Sequence, residues 1–252
     1  MCRIAAVLTP QDPDVLASMF GRLEDSFGGH GNGIAYMAGG RVTIRKGIAL
    51  APETLGALAA VHTPAIYHTR QASSGDITDA HCHPFAAGPG RALAHNGHWT
   101  GYHDVALTLL GRVPLRRLVG ASDTMIAAEI VALHGPRALD LVGSGVWLLL
   151  DSKGVTLRFY DGDFALWRDP DGAWQYASEV VGDVAPGFRP LRPDGPAVVR
   201  LTAAGPVIVS GEFTSRPKPV RTTYGRTWAS DFDETLRRHL DLFAFDSEVE
   251  GG

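Results

Sequence analysis

Short apolar runs alternate with helical periodicity through the first half of the chain. Strands are predicted where short apolar runs occur, at 2–8, 34–37, 42–46, 65–69 and 92–95. Helices are predicted where apolar residues recur every three or four positions, at 14–24, 52–61, 104–110 and from Ser122 onward. A hairpin turn is predicted at 38–40, a glycine-rich loop at 27–33 and a polar, irregular segment at 70–89.

The second half of the chain is dominated by strand patterns. Six further strands are predicted at 146–150, 155–160, 164–167, 174–177, 198–201 and 206–209. The stretch 183–196 is rich in Pro, Gly and Arg and is predicted to be a surface excursion. A last helix is predicted at 230–243 with Ser230 as its N-cap, and the acidic tail 246–252 is predicted to be mobile.

Composition agrees with a single α+β domain formed by residues 1–252. The chain is 45% hydrophobic and 20% charged, which is enough apolar material for a sizeable core. The order of elements suits strands paired into sheets with helices layered outside. The net charge of −4 supplies no basic field for nucleic acid, and no apolar run is long enough to span a membrane. With two cysteines and no signal-peptide pattern, a cytoplasmic location is expected.

The first candidate for chemistry is Cys2. If Met1 is removed, this residue offers a thiol and a free α-amine. A thiol is a weak nucleophile until its proton is taken, and an α-amine titrates at about 7.7–8.0. One residue could therefore supply both a nucleophile and its base. The structural alternative is a small buried cysteine in a first strand.

Cys2 is accompanied by further motifs in a fixed order. They are Gly-Asn-Gly-Ile-Ala-Tyr at 31–36, His-Thr-Arg-Gln-Ala-Ser at 68–73, His-Pro-Phe at 83–85, Ala-His-Asn-Gly at 94–97 and Ser-Asp-Thr at 122–124. Together they resemble the motifs of the class II glutamine amidotransferases, whose nucleophile is N-terminal (Ntn). The resemblance covers residues 2–124, about half of the chain.

The resemblance implies both a fold and an activity. The fold is the Ntn-hydrolase fold, a four-layer αββα sandwich of two antiparallel sheets. The activity is hydrolysis of the glutamine side-chain amide to glutamate and ammonia through a thioester on Cys2. The Asn96 side-chain amide and the Gly97 N–H would stabilise the oxyanion, although Asn-Gly is otherwise typical of a hairpin turn. A synthetase-type partner protein would receive the ammonia, and no cofactor is implied.

Recognition of glutamine requires partners for its α-carboxylate and its α-ammonium. By the resemblance, Arg70 binds the carboxylate, which its forked guanidinium suits, and Asp123 binds the ammonium. Ser73 and Ser74 stand where the family has Thr-His, and they would add hydrogen bonds. Taken singly, Arg70 and Asp123 would instead be interpreted as a surface ion pair and a helix cap.

The sequence also departs from the family pattern. His30 and Asn32 stand where the family often has an acid and a Trp, which is expected to alter one wall of the pocket. Met125 replaces the Glu that often follows Ser-Asp-Thr. Two alternatives to a glutaminase stay open: a free-standing γ-glutamyl amide hydrolase acting on a larger metabolite, and a non-catalytic binding module with the same fold.

A cluster of histidines admits a metal hypothesis. His81, Cys82, His83, His95 and His98 lie close together in sequence, but their spacing is not a recognised zinc-ligand pattern. No metal site is therefore predicted. If the N-terminal mechanism is wrong, Cys82 becomes the candidate thiol, with His81 or His83 as its base.

Overall fold

The computed structural model describes residues 2–73, 75–109 and 120–215. Several residues named above lie outside these ranges, namely Met1, Ser74, 230–243 and 246–252. No helix within the described ranges is long and apolar enough to cross a membrane.

The described strands and helices follow the predicted order. The strands are β1 (Arg3–Val7), β2 (Asn32–Ala38), β3 (Arg41–Gly47), β4 (Ala65–Thr69), β5 (Phe85–Ala86), β6 (Ala92–Asn96), β7 (Val146–Asp151), β8 (Gly154–Phe159), β9 (Ala165–Arg168), β10 (Trp174–Ala177), β11 (Arg192–Pro193), β12 (Ala197–Thr202), β13 (Gly205–Ser210) and β14 (Phe213–Thr214). The helices are α1 (Pro13–Phe27), α2 (Pro52–Val61), α3 (Tyr102–Leu109) and α4 (Asp123–His134).

The strands pair into two large antiparallel sheets. The first has the order β3-β2-β4-β1-β10-β9, and the second has the order β13-β12-β8-β7-β6-β5. β11 and β14 form a separate two-stranded ribbon. The strand that follows Cys2 therefore lies inside the first sheet, whereas Asn96 ends a strand of the second.

Apolar side chains fill three interfaces between four layers. In the interface between the two sheets, Ile4 and Ile66 of the first sheet contact Leu148 and Leu157 of the second. Helices α1 and α2 cover the outer face of the first sheet, and α3 and α4 cover the outer face of the second. This α-β-β-α order confirms the Ntn-hydrolase fold class that the motif resemblance implied.

Local chemistry explains where α1 and α4 begin. Asp12 precedes α1, and its carboxylate accepts a hydrogen bond from the Asp14 N–H at 2.8 Å, while Pro13 opens the first turn. Ser122 caps α4 by accepting from the Met125 N–H at 3.3 Å, as the sequence predicted. Helix α1 extends to Phe27, slightly beyond the predicted end.

The hairpin between β2 and β3 confirms the predicted turn. Gly39 and Gly40 have φ values of +55° and +75°, a left-handed conformation that side chains disfavour. Two consecutive glycines therefore let the chain reverse in the smallest possible loop.

Two predictions of irregular structure need correction. The segment 70–89 contains a 3-10 turn, Asp79–His81, and the short strand β5, which pairs with β6. In the predicted surface excursion, β11 pairs with β14, and Leu191 forms a bridge to Leu166 at the edge of the first sheet. These pairings are long-range, so no local pattern in the sequence indicates them.

The apolar interface between the two sheets offers a direct test of what holds them together. Leu148→Ala should lower the free energy of unfolding by about 2–5 kcal/mol, because it leaves a cavity between the sheets. Leu133→Ala is the matched control, since Leu133 on α4 is 60% exposed and its truncation should change stability by less than about 0.5 kcal/mol. Urea unfolding measures both, and equal effects would contradict the proposed core.

Candidate active site

Cys2 lies buried immediately before β1. Its Sγ accepts a hydrogen bond from the Gln71 N–H at 3.3 Å and lies 3.5 Å from the Gln71 carbonyl oxygen. Burial raises the pKa of the Cys2 thiol, and the Gln71 N–H opposes this shift because it stabilises the thiolate. The thiol therefore needs a base to react near neutral pH, and its two hydrogen-bond contacts in the described chain are both with main-chain atoms.

Five of the predicted site residues, Cys2, Arg70, Ser73, Gly97 and Asp123, line one narrow cleft. The lining residues are Cys2, Arg70, Gln71, Ser73, His83, His95, Gly97, Ser122, Asp123 and Thr124. Strand pairing explains part of this convergence: Arg3 of β1 lies opposite Thr69 of β4, so the preceding Cys2 comes next to Arg70. The other wall comes from the end of β6 and the start of α4.

Arg70 is buried at the end of β4 and is held by the main chain around it. Its N–H donates to the Gly31 carbonyl at 2.8 Å, and its carbonyl accepts from the His30 N–H at 3.0 Å. The guanidinium donates to the Asp76 carbonyl at 2.7 Å. A buried arginine of this kind is fixed in place, which suits the recognition of a carboxylate. The alternative interpretation, a residue at the surface, does not hold, because Arg70 is buried.

Asp123 is the first residue of α4, and it both serves the helix terminus and lines the cleft. Its carboxylate accepts from the Trp99 N–H at 2.9 Å and from the Thr124 N–H at 2.8 Å. The Nδ1 atoms of His95 and His98 lie 3.7 and 3.8 Å from Oδ2. The cap itself is Ser122, so Asp123 keeps a carboxylate at the positive end of the helix dipole and at the cleft wall.

Gly97 and Asn96 occupy different positions relative to the cleft. At Gly97 a Cβ would come within 2.7 Å of both the Gly145 Cα and the His95 Nε2, so only glycine fits. Asn96 is buried beside the cleft, and its Nδ2 donates to the Ser178 hydroxyl at 3.1 Å. Its Oδ1 is buried without a hydrogen-bond partner among the described residues.

Three buried histidines lie where the two sheets meet, and two of them, His83 and His95, also line the cleft. His68 Nε2 donates to the His95 carbonyl at 3.0 Å, and His83 Nδ1 accepts from the His95 N–H at 3.4 Å. The rings of His68 and His83 stack with centroids 3.9 Å apart. Burial lowers the pKa of His68 to about 3 and that of His95 to about 4, so both are neutral at pH 7. Neutral, hydrogen-bonded imidazoles of this kind act as a scaffold.

The alternative thiol, Cys82, is hydrogen-bonded to main-chain carbonyls, including that of His30 at 4.0 Å, and no histidine ring of the described residues bonds to it. Its Sγ donates to the Thr78 carbonyl at 3.5 Å, and burial raises the pKa of its thiol. The His81 ring bonds instead to the Thr78 hydroxyl and the Gly120 carbonyl, both at 2.8 Å. Within the described ranges, no group of three or more His, Cys, Asp or Glu side chains is placed to hold a metal ion.

One predicted wall residue does not reach the cleft. Asn32 Nδ2 donates to the Glu24 carboxylate at 3.0 Å and to the Leu50 carbonyl at 2.9 Å, and its Oδ1 accepts from the Tyr67 hydroxyl at 3.1 Å. The expectation that Asn32 alters the pocket wall is therefore wrong. Side chains alternate along β2, and Asn32 points toward the helices.

Sequence reasoning missed a polar anchor beyond β10. Ser178 is completely buried, and its hydroxyl accepts from the Ile4 N–H at 2.8 Å as well as from Asn96. The next residue, Glu179, pairs with Arg3 at 3.1 Å. No motif in the sequence surrounds either residue. They reach the site because β10 pairs antiparallel with β1, a long-range contact that has no local sequence signal.

Comparison with solved structures places this geometry in context. The structure is similar to glutamine phosphoribosylpyrophosphate amidotransferase from B. subtilis in complex with ADP and GMP, with a TM-score of 0.62, 20% identity, and coverage of 82% of this chain and 48% of that one. A structure described as the allosteric regulatory enzyme of purine biosynthesis matches with a TM-score of 0.61, 18% identity, and coverage of 82% and 48%. This chain thus matches about half the length of each.

At these identities the likeness shows a shared fold. No protein-family model matches the sequence, and no curated protein matches it significantly. The matches show that this chain shares its fold with glutamine phosphoribosylpyrophosphate amidotransferase, in agreement with the amidotransferase resemblance inferred from the motifs.

The buried histidines predict a loss of stability in acid. An unfolded histidine titrates near pH 6.5, whereas folded His68 and His95 stay neutral down to about pH 3 and about pH 4. The unfolded state therefore takes up protons first. The contribution of these two histidines to the free energy of unfolding is fully present above about pH 6.5, and it is lost as the pH is lowered from there toward about pH 4.

His68→Gln tests this prediction because glutamine keeps an N–H donor but does not titrate in this range. Urea unfolding between about pH 7 and about pH 4.5 should show a shallower loss of stability than in the wild type. His134→Gln is the control, since that side chain is exposed and its replacement should leave the slope unchanged. An unchanged slope in His68→Gln would exclude His68 as the source.

Proposed function

We propose that the chain is an amidohydrolase of the class II glutamine amidotransferase type, with Cys2 as its nucleophile. The observation that carries the proposal is the cleft itself, where the Cys2 thiol shares one small space with Gly97, Arg70 and Asp123. These residues come from separate parts of the sequence and correspond to the roles that glutamine hydrolysis requires. The shared fold with glutamine phosphoribosylpyrophosphate amidotransferase supports the proposal.

The proposed reaction begins when Met1 is removed and the α-amine of Cys2 becomes free. The amine takes the thiol proton as Sγ attacks the amide carbon of the substrate. When the carbon–nitrogen bond breaks, the amine gives that proton to the leaving nitrogen, and ammonia departs. Water then attacks the thioester with the amine as base, which releases glutamate and restores the thiol. The raised thiol pKa makes this internal base necessary.

Charge that develops on the substrate oxygen requires hydrogen-bond donors. The Gly97 N–H and the Asn96 side-chain amide are the proposed donors. An amide nitrogen carries two hydrogens, and one of those on Asn96 Nδ2 is used by Ser178, which leaves the second for the oxyanion. Donors fixed before the reaction cost no reorganisation when the charge appears.

The two charged ends of glutamine require opposite charges in the cleft. We assign the α-carboxylate to Arg70 and the α-ammonium to Asp123, which line the same cleft as the nucleophile. Ser73 lies exposed at this cleft and adds a hydroxyl. We also propose that Ser74 adds a hydrogen bond to the substrate, as the motif resemblance implied.

Ammonia released in the cleft must leave or be used. We propose that a synthetase-type partner receives it, in which case glutaminase activity rises when that partner is added. Hydrolysis of a larger γ-glutamyl amide, with glutamine ignored, would instead identify the chain as a free-standing γ-glutamyl amide hydrolase. Complete lack of turnover on both substrate classes would favour the non-catalytic binding module.

The oxyanion assignment predicts a selective kinetic defect. Asn96→Ala should lower kcat for glutamine or a γ-glutamyl amide by about 10²–10³. Cys2→Ala should abolish turnover, whereas Cys82→Ala should retain it. The glutamine analogue 6-diazo-5-oxo-norleucine should label Cys2 and leave Cys82 unmodified, as read by mass spectrometry.

The proposed mechanism also makes a prediction about the N-terminus, because it requires a free α-amine on Cys2. Active protein should begin at Cys2, because an amine that remains in a peptide bond cannot act as a base. If protein that retains Met1 turns over as fast as the processed protein, the N-terminal mechanism is excluded.

Recognition of the α-carboxylate predicts a separate defect. Arg70→Lys should raise KM strongly with a smaller effect on kcat, because lysine cannot form the forked contact. Glutamine methyl ester should be a poor substrate for the wild type. Arg45→Lys is the matched control, since Arg45 is exposed on β3 and outside the cleft. Equal use of free and esterified glutamine would overturn the assignment of Arg70.

A further inference from the structure

Ser178 joins the two sheets at the point where the proposed chemistry occurs. It directly follows β10 and has no solvent-exposed surface. Its hydroxyl accepts from the Ile4 N–H at 2.8 Å and from Asn96 Nδ2 at 3.1 Å. Ile4 belongs to the strand that follows Cys2, and Asn96 ends a strand of the opposite sheet. A single hydroxyl therefore connects the strand of the nucleophile to the side chain of the proposed oxyanion donor.

The bonding capacity of this hydroxyl is fully used. A serine oxygen accepts two hydrogen bonds and donates one. The two acceptor positions are filled by Ile4 and Asn96, and the hydroxyl hydrogen points to the Ile4 carbonyl at 3.4 Å. The Ser178 N–H donates to the same carbonyl at 2.9 Å, so β1 fixes the serine from two sides. The lone pair that faces Asn96 is consequently held in a defined direction.

Asn96 depends on this contact for its orientation. Its Oδ1 is buried without a partner among the described residues, so its Nδ2 bond to Ser178 is what fixes the amide. Turning the amide over would take the Ser178 oxygen away from the buried NH2 group as its acceptor, and the Ser178 hydroxyl would have to leave the Ile4 carbonyl in order to donate to Oδ1. A buried donor that loses its acceptor is costly.

We infer that Ser178 is a positioning residue for the oxyanion hole, an inference that rests on the proposed function. It selects the rotamer of Asn96 in which Nδ2 is held, and it fixes that amide relative to β1 and hence to Cys2. Small displacements of a catalytic donor are expensive, because its effect depends on its distance from the developing charge. Ser178 acts through Asn96 and does not touch the substrate.

The inference predicts a kinetic signature of Ser178→Ala. The variant keeps the hydrogen bond from the residue 178 N–H to the Ile4 carbonyl, but it loses the acceptor for the Asn96 amide and for the Ile4 N–H. We expect kcat for the substrate hydrolysed by the wild type to fall by about 10–10², with KM changed by less than about threefold. Ser26→Ala is the matched control: the Ser26 hydroxyl contacts the same strand through Arg3 at 3.1 Å but does not touch Asn96, so its kcat should match the wild type.

A double-mutant cycle separates positioning from a general structural effect. If Ser178 acts through Asn96, adding Ser178→Ala to Asn96→Ala should lower kcat by less than about threefold further. An equal loss in both backgrounds would overturn the inference, as would wild-type kcat in the single variant. If Ser178→Ala does not fold, Ser178→Cys replaces it, because its similar size keeps the packing while its sulfur accepts hydrogen bonds weakly. The same kcat loss and the same non-additivity are expected.

These outcomes also distinguish the inference from the function on which it rests. If wild-type protein turns over no glutamine or γ-glutamyl amide and Cys2 is not labelled by the diazo analogue, the proposed function fails and the role of Ser178 fails with it. If the wild type is active and the Ser178 variants match it, only the role of Ser178 is wrong.

Discussion

The cleft depends on how the two sheets lie against each other. Cys2 and Arg70 extend from strands of the first sheet, whereas Asn96 and Gly97 extend from a strand of the second. Their relative position is set by the apolar layer between the sheets, which packs at the density of a solid and resists sliding. This layer therefore sets the position of Cys2 relative to Asn96 and Gly97.

Polar contacts refine the position that the apolar layer sets. His68 crosses between the sheets to the His95 carbonyl, and Ser178 crosses to Asn96. Hydrogen bonds strengthen in a buried, low-dielectric setting, and they have a direction that apolar contacts lack. The same setting leaves His95 Nε2 and Asn96 Oδ1 buried without partners in the described chain. A buried polar atom without a hydrogen-bond partner costs folding free energy.

The electrostatics of the cleft also follow from burial. Burial raises the pKa of the Cys2 thiol and lowers those of the buried histidines. The histidines are consequently neutral and poor candidates for stabilising a thiolate, whereas the Gln71 N–H and the positive charge of Arg70 both favour it. Asp123 and Arg70 bring one acidic and one basic side chain to the cleft.

The sequence by itself determined the elements whose causes are local. The apolar spacing of α1, the caps at Asp12 and Ser122, and the turn at Gly39 and Gly40 depend on neighbours within a few residues, so their patterns could be recognised. The motif resemblance extended this reach to the fold class and to a set of residues, five of which line one cleft. Only the tertiary structure decided the rest. Asn32 points away from the cleft because of its position in the alternation of β2, and Leu191 joins a sheet edge through a distant partner. Ser178 reaches Asn96 because β10 pairs with β1, a contact between residues far apart in the chain. Such contacts depend on the packing of whole sheets, and no short stretch of sequence encodes that packing.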